Sequence, residues 1–167
     1  VRWFEYGTFC PVMRLHGYRM PYLPQYGTTG GAECVSGAPN EIWSYGDEVY
    51  EICKKYIKLR EAMRPYIRTL MEAAHEKGTP IMRPMFYDFP EDKVCWENES
   101  QYMFGPDILV APVMERGQKT KEVYLPKGST WTDPWTGESY EGGQTVTVET
   151  PLEQIPLFTK NNFRLEV

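Results

Sequence analysis

A histidine closing a short apolar run is the side chain in this sequence whose placement best suits ligand chemistry. His16 ends Val12-Met13-Arg14-Leu15 and precedes Gly17. If that run is a buried strand, His16 stands where the strand stops, and in a parallel α/β barrel the C-terminal strand ends carry the binding and catalytic groups. The alternative is a packing or capping histidine. Arg14 shares the strand face with His16 if the strand is regular; it either supports His16 or a nearby carboxylate, or closes a structural salt bridge. His75 falls in the last turn of a long helical pattern, where a cation complements the helix dipole. Asp88, Asp92 and Asp107 sit beside Pro and Gly at strand ends, where carboxylates usually serve turns, so an acid pair among them is not expected. Cys10, Cys34, Cys53 and Cys95 show no C-x-x-C and no regular spacing, which argues against a zinc site or a disulfide scaffold and for reduced packing residues. No metal ligand set and no cofactor motif is expected.

The elements that would position these groups can be read in order. The chain begins at Val1 and reads as starting in mid-element, with no leader expected and a helical tail over Arg2–Tyr6 that passes a Gly and a Pro into the short strand. Residues 18 to 46, rich in Gly, Pro and Tyr, form an irregular stretch too long for an ordinary connection, which reads as a binding loop or lid. A helix follows over Asp47–Lys77, with Ser44 as its candidate cap, a kink near Arg64 imposed by Pro65, and Gly78 as its stop. Beyond Thr79 the pattern changes to short extended runs: 80–89, 107–113, 122–125, 145–149, 155–158 and 163–167. A run of strands after a long helix predicts a separate antiparallel β layer, with the boundary near Gly78.

Composition narrows the classes of function. The 167 residues carry a net charge of −5 with Lys and Arg scattered among Asp and Glu, so the electrostatic footprint for nucleic acid is missing. No apolar run approaches the roughly 20 residues that cross a bilayer, so neither a nucleic acid nor a membrane is an expected partner. Location is not legible, with a cytoplasmic chain the slightly favoured expectation. Five Trp and twelve Tyr suit sugar-binding platforms and buried cores alike.

Four stretches taken together resemble the C-terminal part of glycoside hydrolase family 31, the α-glucosidases and α-xylosidases. They are RWFEYGTFCPVMRLHG at 2–17, LREAMRPYIRTLMEAAHEKGTPIMRPMFYDFP at 59–90, QYMFGPDILVAPV at 101–113 and VYLPKGSTWTDPWTGESYEGG at 123–143. The resemblance implies an α+β fragment: residues 1–78 as the end of a (β/α)₈ TIM barrel, with 12–16 its last strand and 47–77 its last helix, and residues 79–167 as the β-sandwich that follows it. The loop at 18–46 is the part that aligns least well.

Retaining glycosidases flank the scissile bond with two carboxyl groups roughly 5 Å apart, and family 31 is similar in using two aspartates. Both belong to motifs on earlier barrel strands, and no stretch here resembles either, so no catalytic residue is assigned. His16 matches the histidine that in the family hydrogen-bonds sugar hydroxyls next to the cleaved bond, a task suited to two ring nitrogens. Arg14 and Trp43 complete the expected substrate-binding set, with Tyr22 beside Trp43 on the loop; a loop folded on its own aromatic core is the alternative. The resemblance thus implies a piece of an α-glycosidase acting on terminal α-linked glucose or xylose of oligosaccharides, inactive by itself and prone to self-association through uncovered barrel surfaces. The aromatic loop tilts the expectation toward xylose. The rival reading is a carbohydrate-binding or purely structural β-sandwich module, the former using Trp131 or Trp135, for which packing roles are otherwise expected.

Overall fold

The computed structural model describes residues 1–16, 19–25, 27–30 and 37–167. Helix α1, Arg2–Thr8, opens the chain; after the loop, a 3-10 turn at Ile42–Tyr45 leads into α2, Asp47–Ala62, and α3, Arg64–Lys77. The apolar spacing that predicts one kinked helix is met by two helices joined at Met63, because Pro65 cannot donate to the carbonyl four residues back and is tolerated only in a first turn. Gly78 ends α3 in the left-handed conformation, its N–H on the Ala74 carbonyl at 3.1 Å. Ser44 does not cap α2. The capping position is Gly46, and the Ser44 hydroxyl, two residues too early, donates to Glu41 at 3.1 Å.

The remaining chain contains β1 (Met82–Arg83), α4 (Met85–Asp88), α5 (Val94–Glu97), β2 (Tyr102–Phe104), β3 (Ile108–Val110), β4 (Thr120–Leu125), β5 (Thr130–Thr132), β6 (Ser139–Glu141), β7 (Gln144–Glu149) and β8 (Leu157–Lys160). Six strands form one antiparallel sheet in the order β1-β2-β3-β8-β5-β6, and β4 pairs with β7 as a separate ribbon. Three expectations give way. The run at 80–89 is a two-residue strand and then α4, because Pro84 removes a ladder donor and opens a helical turn instead. Residues 163–167 are not a strand, since Asn161 and Asn162 take positive φ (49° and 64°) and turn the chain out of the sheet. The predicted strand over 12–16 is absent: residues 13–16 carry no ladder, because a strand exists only against a neighbour and none of the described residues supplies one. Strands β2, β5 and β6 are additions, too short for period-2 alternation to be visible.

The centre of the six-stranded sheet, β3 and β8, is buried on both faces, which is why β3 reads Ile-Leu-Val without alternation, while β6 at one edge is largely exposed. Register places Met103 opposite Leu109 and Leu109 opposite Phe158. These three point with Trp131 toward the β4–β7 ribbon, packing on Val123, Leu125, Val146 and Val148. Phe104, Ile108, Val110 and Leu157 point the other way into a core with Phe9, Tyr56, Leu59, Met63 and Leu70 from the helical region. Each fully buried side chain of this kind contributes about 1.5–3 kcal/mol, so the helices and the sheet hold one another.

Polar contacts stitch the same seam. Tyr56 Oη donates to the Glu153 carbonyl (3.2 Å) and accepts from the Ile155 N–H (3.0 Å). Arg2 donates to Glu5 (3.0 Å) and to the carbonyls of Thr150 (2.7 Å) and Gln154 (2.9 Å). Trp135 Nε1 donates to the Ile155 carbonyl (2.8 Å) while the Lys55 ammonium lies 3.8 Å from its ring centroid. Among the described residues, Cys10, Cys53 and Cys95 are free thiols, the last two buried as expected of packing cysteines. Cys34 and Gly17, with residues 18, 26, 31–33, 35 and 36 of the expected lid, lie outside the described residues. None of the described helices is long and apolar enough to cross a membrane.

Candidate functional site

His16 is exposed, and what holds it is main chain. Its carbonyl accepts from the Asn40 amide, whose own side-chain oxygen accepts from the Tyr45 hydroxyl. The Arg19 guanidinium covers the Tyr45 ring at 4.2 Å and donates to the Pro39 carbonyl, while the Ala38 N–H donates to the Arg19 carbonyl at 2.8 Å. His16 and Arg19 are thereby tied to 38–45. This knot borders an open groove of about 630 Å³ lined by Leu23, Ala38, Pro39, Asn40, Glu41 and Trp43 among others. Trp43, on the 3-10 turn, is 69% exposed, so one broad aromatic face stands at the groove free of packing duty.

Of the three sugar-contacting residues expected from the sequence, the groove takes Trp43. His16 joins it through its carbonyl partner Asn40. Arg14 is exposed and does not line it. Glu41 accepts hydrogen bonds from its own N–H and from Ser44, with Arg19 nearby, and these hold its carboxyl below the ordinary carboxylate range. Among the described residues it is the one carboxylate lining the groove. A fixed anion, an amide and an aromatic face can orient hydroxyls and an apolar ring face, whereas double displacement at a glycosidic carbon needs a pair of carboxyls.

The segment leading to His16 depends on two residues that sequence reasoning passed over. The Arg60 guanidinium donates to the carbonyls of Thr8 (2.6 Å), Cys10 (2.9 Å) and Pro11 (3.1 Å). Tyr102 Oη donates to the carbonyl between them, Phe9, at 2.9 Å. Burial raises the pKa of Tyr102, which keeps its hydroxyl a donor, and Arg60, although burial lowers its pKa, remains a guanidinium donor at neutral pH. The available signal was weak: Arg60 is a cation directly beside the apolar stripe of α2, and only the fold shows that it spends its fork on main chain.

Other residues singled out from the sequence serve structure. Trp131 is fully buried with its Nε1 on the Pro126 carbonyl (2.9 Å), and so offers no ring face to solvent. Asp88 pairs with Arg83 (2.8 Å), and Asp107 accepts from Tyr66 (3.2 Å). Asp92 accepts from Tyr124 Oη (2.7 Å) and the Lys127 N–H (3.0 Å). His75 is exposed in the last turn of α3. No group of three or more potential metal ligands occurs among the described residues.

Helices followed by an antiparallel β domain define the class of fold, and comparison with known proteins gives it a family. Residues 1–70 match the glycosyl hydrolases family 31 TIM-barrel domain, and residues 78–163 match the glycosyl hydrolase family 31 C-terminal domain. The chain belongs to glycosyl hydrolase family 31. It is 40% identical over 161 residues to an alpha-xylosidase of Saccharolobus solfataricus, covering 96% of this chain and 20% of that protein. It is 36% identical over 160 residues to alpha-glucosidase 2 of Bacillus thermoamyloliquefaciens, covering 95% and 18%. Among solved structures, a GH31 alpha-xylosidase from a soil metagenome complexed with xylose superposes with a TM-score of 0.92 at 49% identity, covering 98% of this chain and 25% of that one. The chain spans about a fifth of the length of the curated relatives it matches.

Proposed function

We propose that the polypeptide to which these residues belong is a retaining α-glycosidase that releases terminal α-linked xylose or glucose, with xylose preferred. In this reading residues 1–78 close its catalytic barrel, residues 79–167 form the β domain behind it, and His16, Arg14 and Trp43 contribute one wall of the sugar pocket. The two aspartates that attack and protonate stand on earlier barrel strands, so the 167 residues alone do not hydrolyse. The observation that carries the reading is the 49% identity with a xylose-bound enzyme along 98% of the chain. The isolated chain self-associates through apolar surface that the remainder of a barrel would cover: Trp3 and Val12 are 83% and 78% exposed.

The test compares aryl α-xyloside and aryl α-glucoside hydrolysis by the longer polypeptide and by the 167-residue chain. Turnover by the first alone, fastest on the xyloside, is the expected result. A His16→Ala change there raises KM about 10- to 100-fold, the equivalent of two lost hydroxyl hydrogen bonds. Turnover by the isolated chain would refute the division of labour.

A further inference from the structure

We infer that Arg60 and Tyr102 are positioning residues for sugar binding: together they grip four successive carbonyls, at residues 8 to 11, and so fix the segment that presents His16. The inference rests on the reading of His16 as a sugar contact and extends it to residues more than forty positions away in sequence.

A helix leaves its last carbonyls without intrahelical partners. At and just beyond the end of α1, the carbonyls of Thr8, Phe9, Cys10 and Pro11 are all taken by side chains from elsewhere: three by Arg60 of α2 and one by Tyr102 of β2. A guanidinium is suited to this because its planar fork holds several acceptors at fixed angles, which a lysine ammonium does not. The positive charge also lies at the C-terminal end of α1, the favourable end of its dipole. Among the described residues Arg60 pairs with no carboxylate, so its hydrogen-bonding capacity is directed at the main chain. The ring of Tyr102 is braced edge-on by Tyr6 of α1, with centroids 6.0 Å apart.

The other end of the segment is anchored as well, by the Asn40 amide on the His16 carbonyl. Residues 12–15 therefore span two fixed points without ladder hydrogen bonds of their own. Loosening the first anchor frees the span, and the imidazole at its end loses its set position. A misplacement of about 1 Å at a binding group is enough to cost binding severely.

Two measurements test this. In the 167-residue chain, backbone NMR order parameters of residues 12–16 should fall from a rigid value near 0.85 to below about 0.6 in Arg60→Lys, and by less in Tyr102→Phe. Those of 108–110 should not change. In the longer polypeptide, Arg60→Lys should raise KM for the aryl α-xyloside about tenfold with kcat less affected, the loss of roughly one charge-assisted hydrogen bond. In a His16→Ala background the same change should add less than about twofold, because the two residues act as one. Unchanged order parameters at 12–16, or a uniform loss that includes 108–110, would overturn the clamp. Equal factors on KM in both backgrounds would also overturn it, by showing that Arg60 acts independently of His16. Order lost at 12–16 while His16→Ala leaves KM untouched would keep the clamp and remove the sugar role of His16 instead.

Discussion

Replacing Gly105 by alanine tests whether the helices and the sheet share one core. Gly105 lies in the β2–β3 hairpin with φ +64°, and a Cβ there would overlap the Tyr66 hydroxyl and lie 2.8–2.9 Å from both methyl carbons of Leu70 on α3. The left-handed conformation costs a residue with a Cβ about 1–2 kcal/mol, and forcing α3 outward adds about 1–3 kcal/mol of overpacking. Tyr66 is also displaced from its bonds to the Phe104 carbonyl and Asp107, both 3.2 Å. A total of about 2–5 kcal/mol corresponds to a fall in Tm of about 5–15 °C for a chain of this size. The control is Gly117, where φ is +77° and no atom lies within 4 Å of the added carbon; Gly117→Ala pays the backbone strain alone, about 1–2 kcal/mol. Urea unfolding of both variants isolates the contact across the seam. Adding Leu70→Ala to Gly105→Ala should recover part of the loss non-additively, since it vacates the contested space. Equal destabilisation by the two glycine variants would refute the reasoning.

Burial raises the pKa of Glu5 above its ordinary 4.5 despite the Arg2 guanidinium beside it, and its Oε1 has no hydrogen-bond partner. The folded state thus favours the protonated acid, and stability from this group grows as pH falls through the folded pKa toward 4.5. Glu5→Gln should match or exceed the parent chain in stability at neutral pH, with the gap closing near pH 4.5, as read by denaturation midpoints. Asp92 behaves oppositely. Burial pushes it up, but bonds from the Lys127 N–H, Tyr124 and the Val94 N–H outweigh this and hold it below 3.8. Its stabilisation is present above pH 3.8 and is lost as pH falls through the depressed folded value. Asp92→Ala should cost about 1.5–3 kcal/mol at neutral pH and flatten that acid limb. Light scattering of the isolated chain should show association, reduced by Trp3→Ser with Val12→Ser; a strict monomer would contradict the exposed faces.

How much was legible depends on how local the cause is. Pro65 and Gly78 act through their own backbones, so the break and the end of the long helix are visible in the string of residues. The turn bond from the Val94 N–H to Asp92 and the position of His75 are legible for the same reason, since turn chemistry and helix ends are short-range, whereas the bonds of Asp92 to Tyr124 and Lys127 and the burial of Trp131 depend on distant partners. Strands β5 and β6 were missed because three residues show no alternation and are strands only by virtue of β8 beside Trp131 and Thr132. The segment 12–16 shows the converse, an apolar run that does not form a strand without a neighbour. Of the candidate site, Trp43 was found as an aromatic on a Gly- and Pro-rich loop, while Asn40 and Arg60 carry no signal until folding brings them to the carbonyls they hold.

By itself the sequence determined the family, the break and the end of the long helix and the change to short extended runs beyond it, because motifs and helix or turn signals are written within a few residues of where they act. Tertiary structure alone decided that the centre of the sheet is covered on both faces, that Arg60 and Tyr102 take the carbonyls after α1, and that the groove is bordered by Asn40. Those outcomes depend on which distant groups satisfy exposed donors, acceptors and apolar faces. That pairing is fixed only when the chain closes on itself.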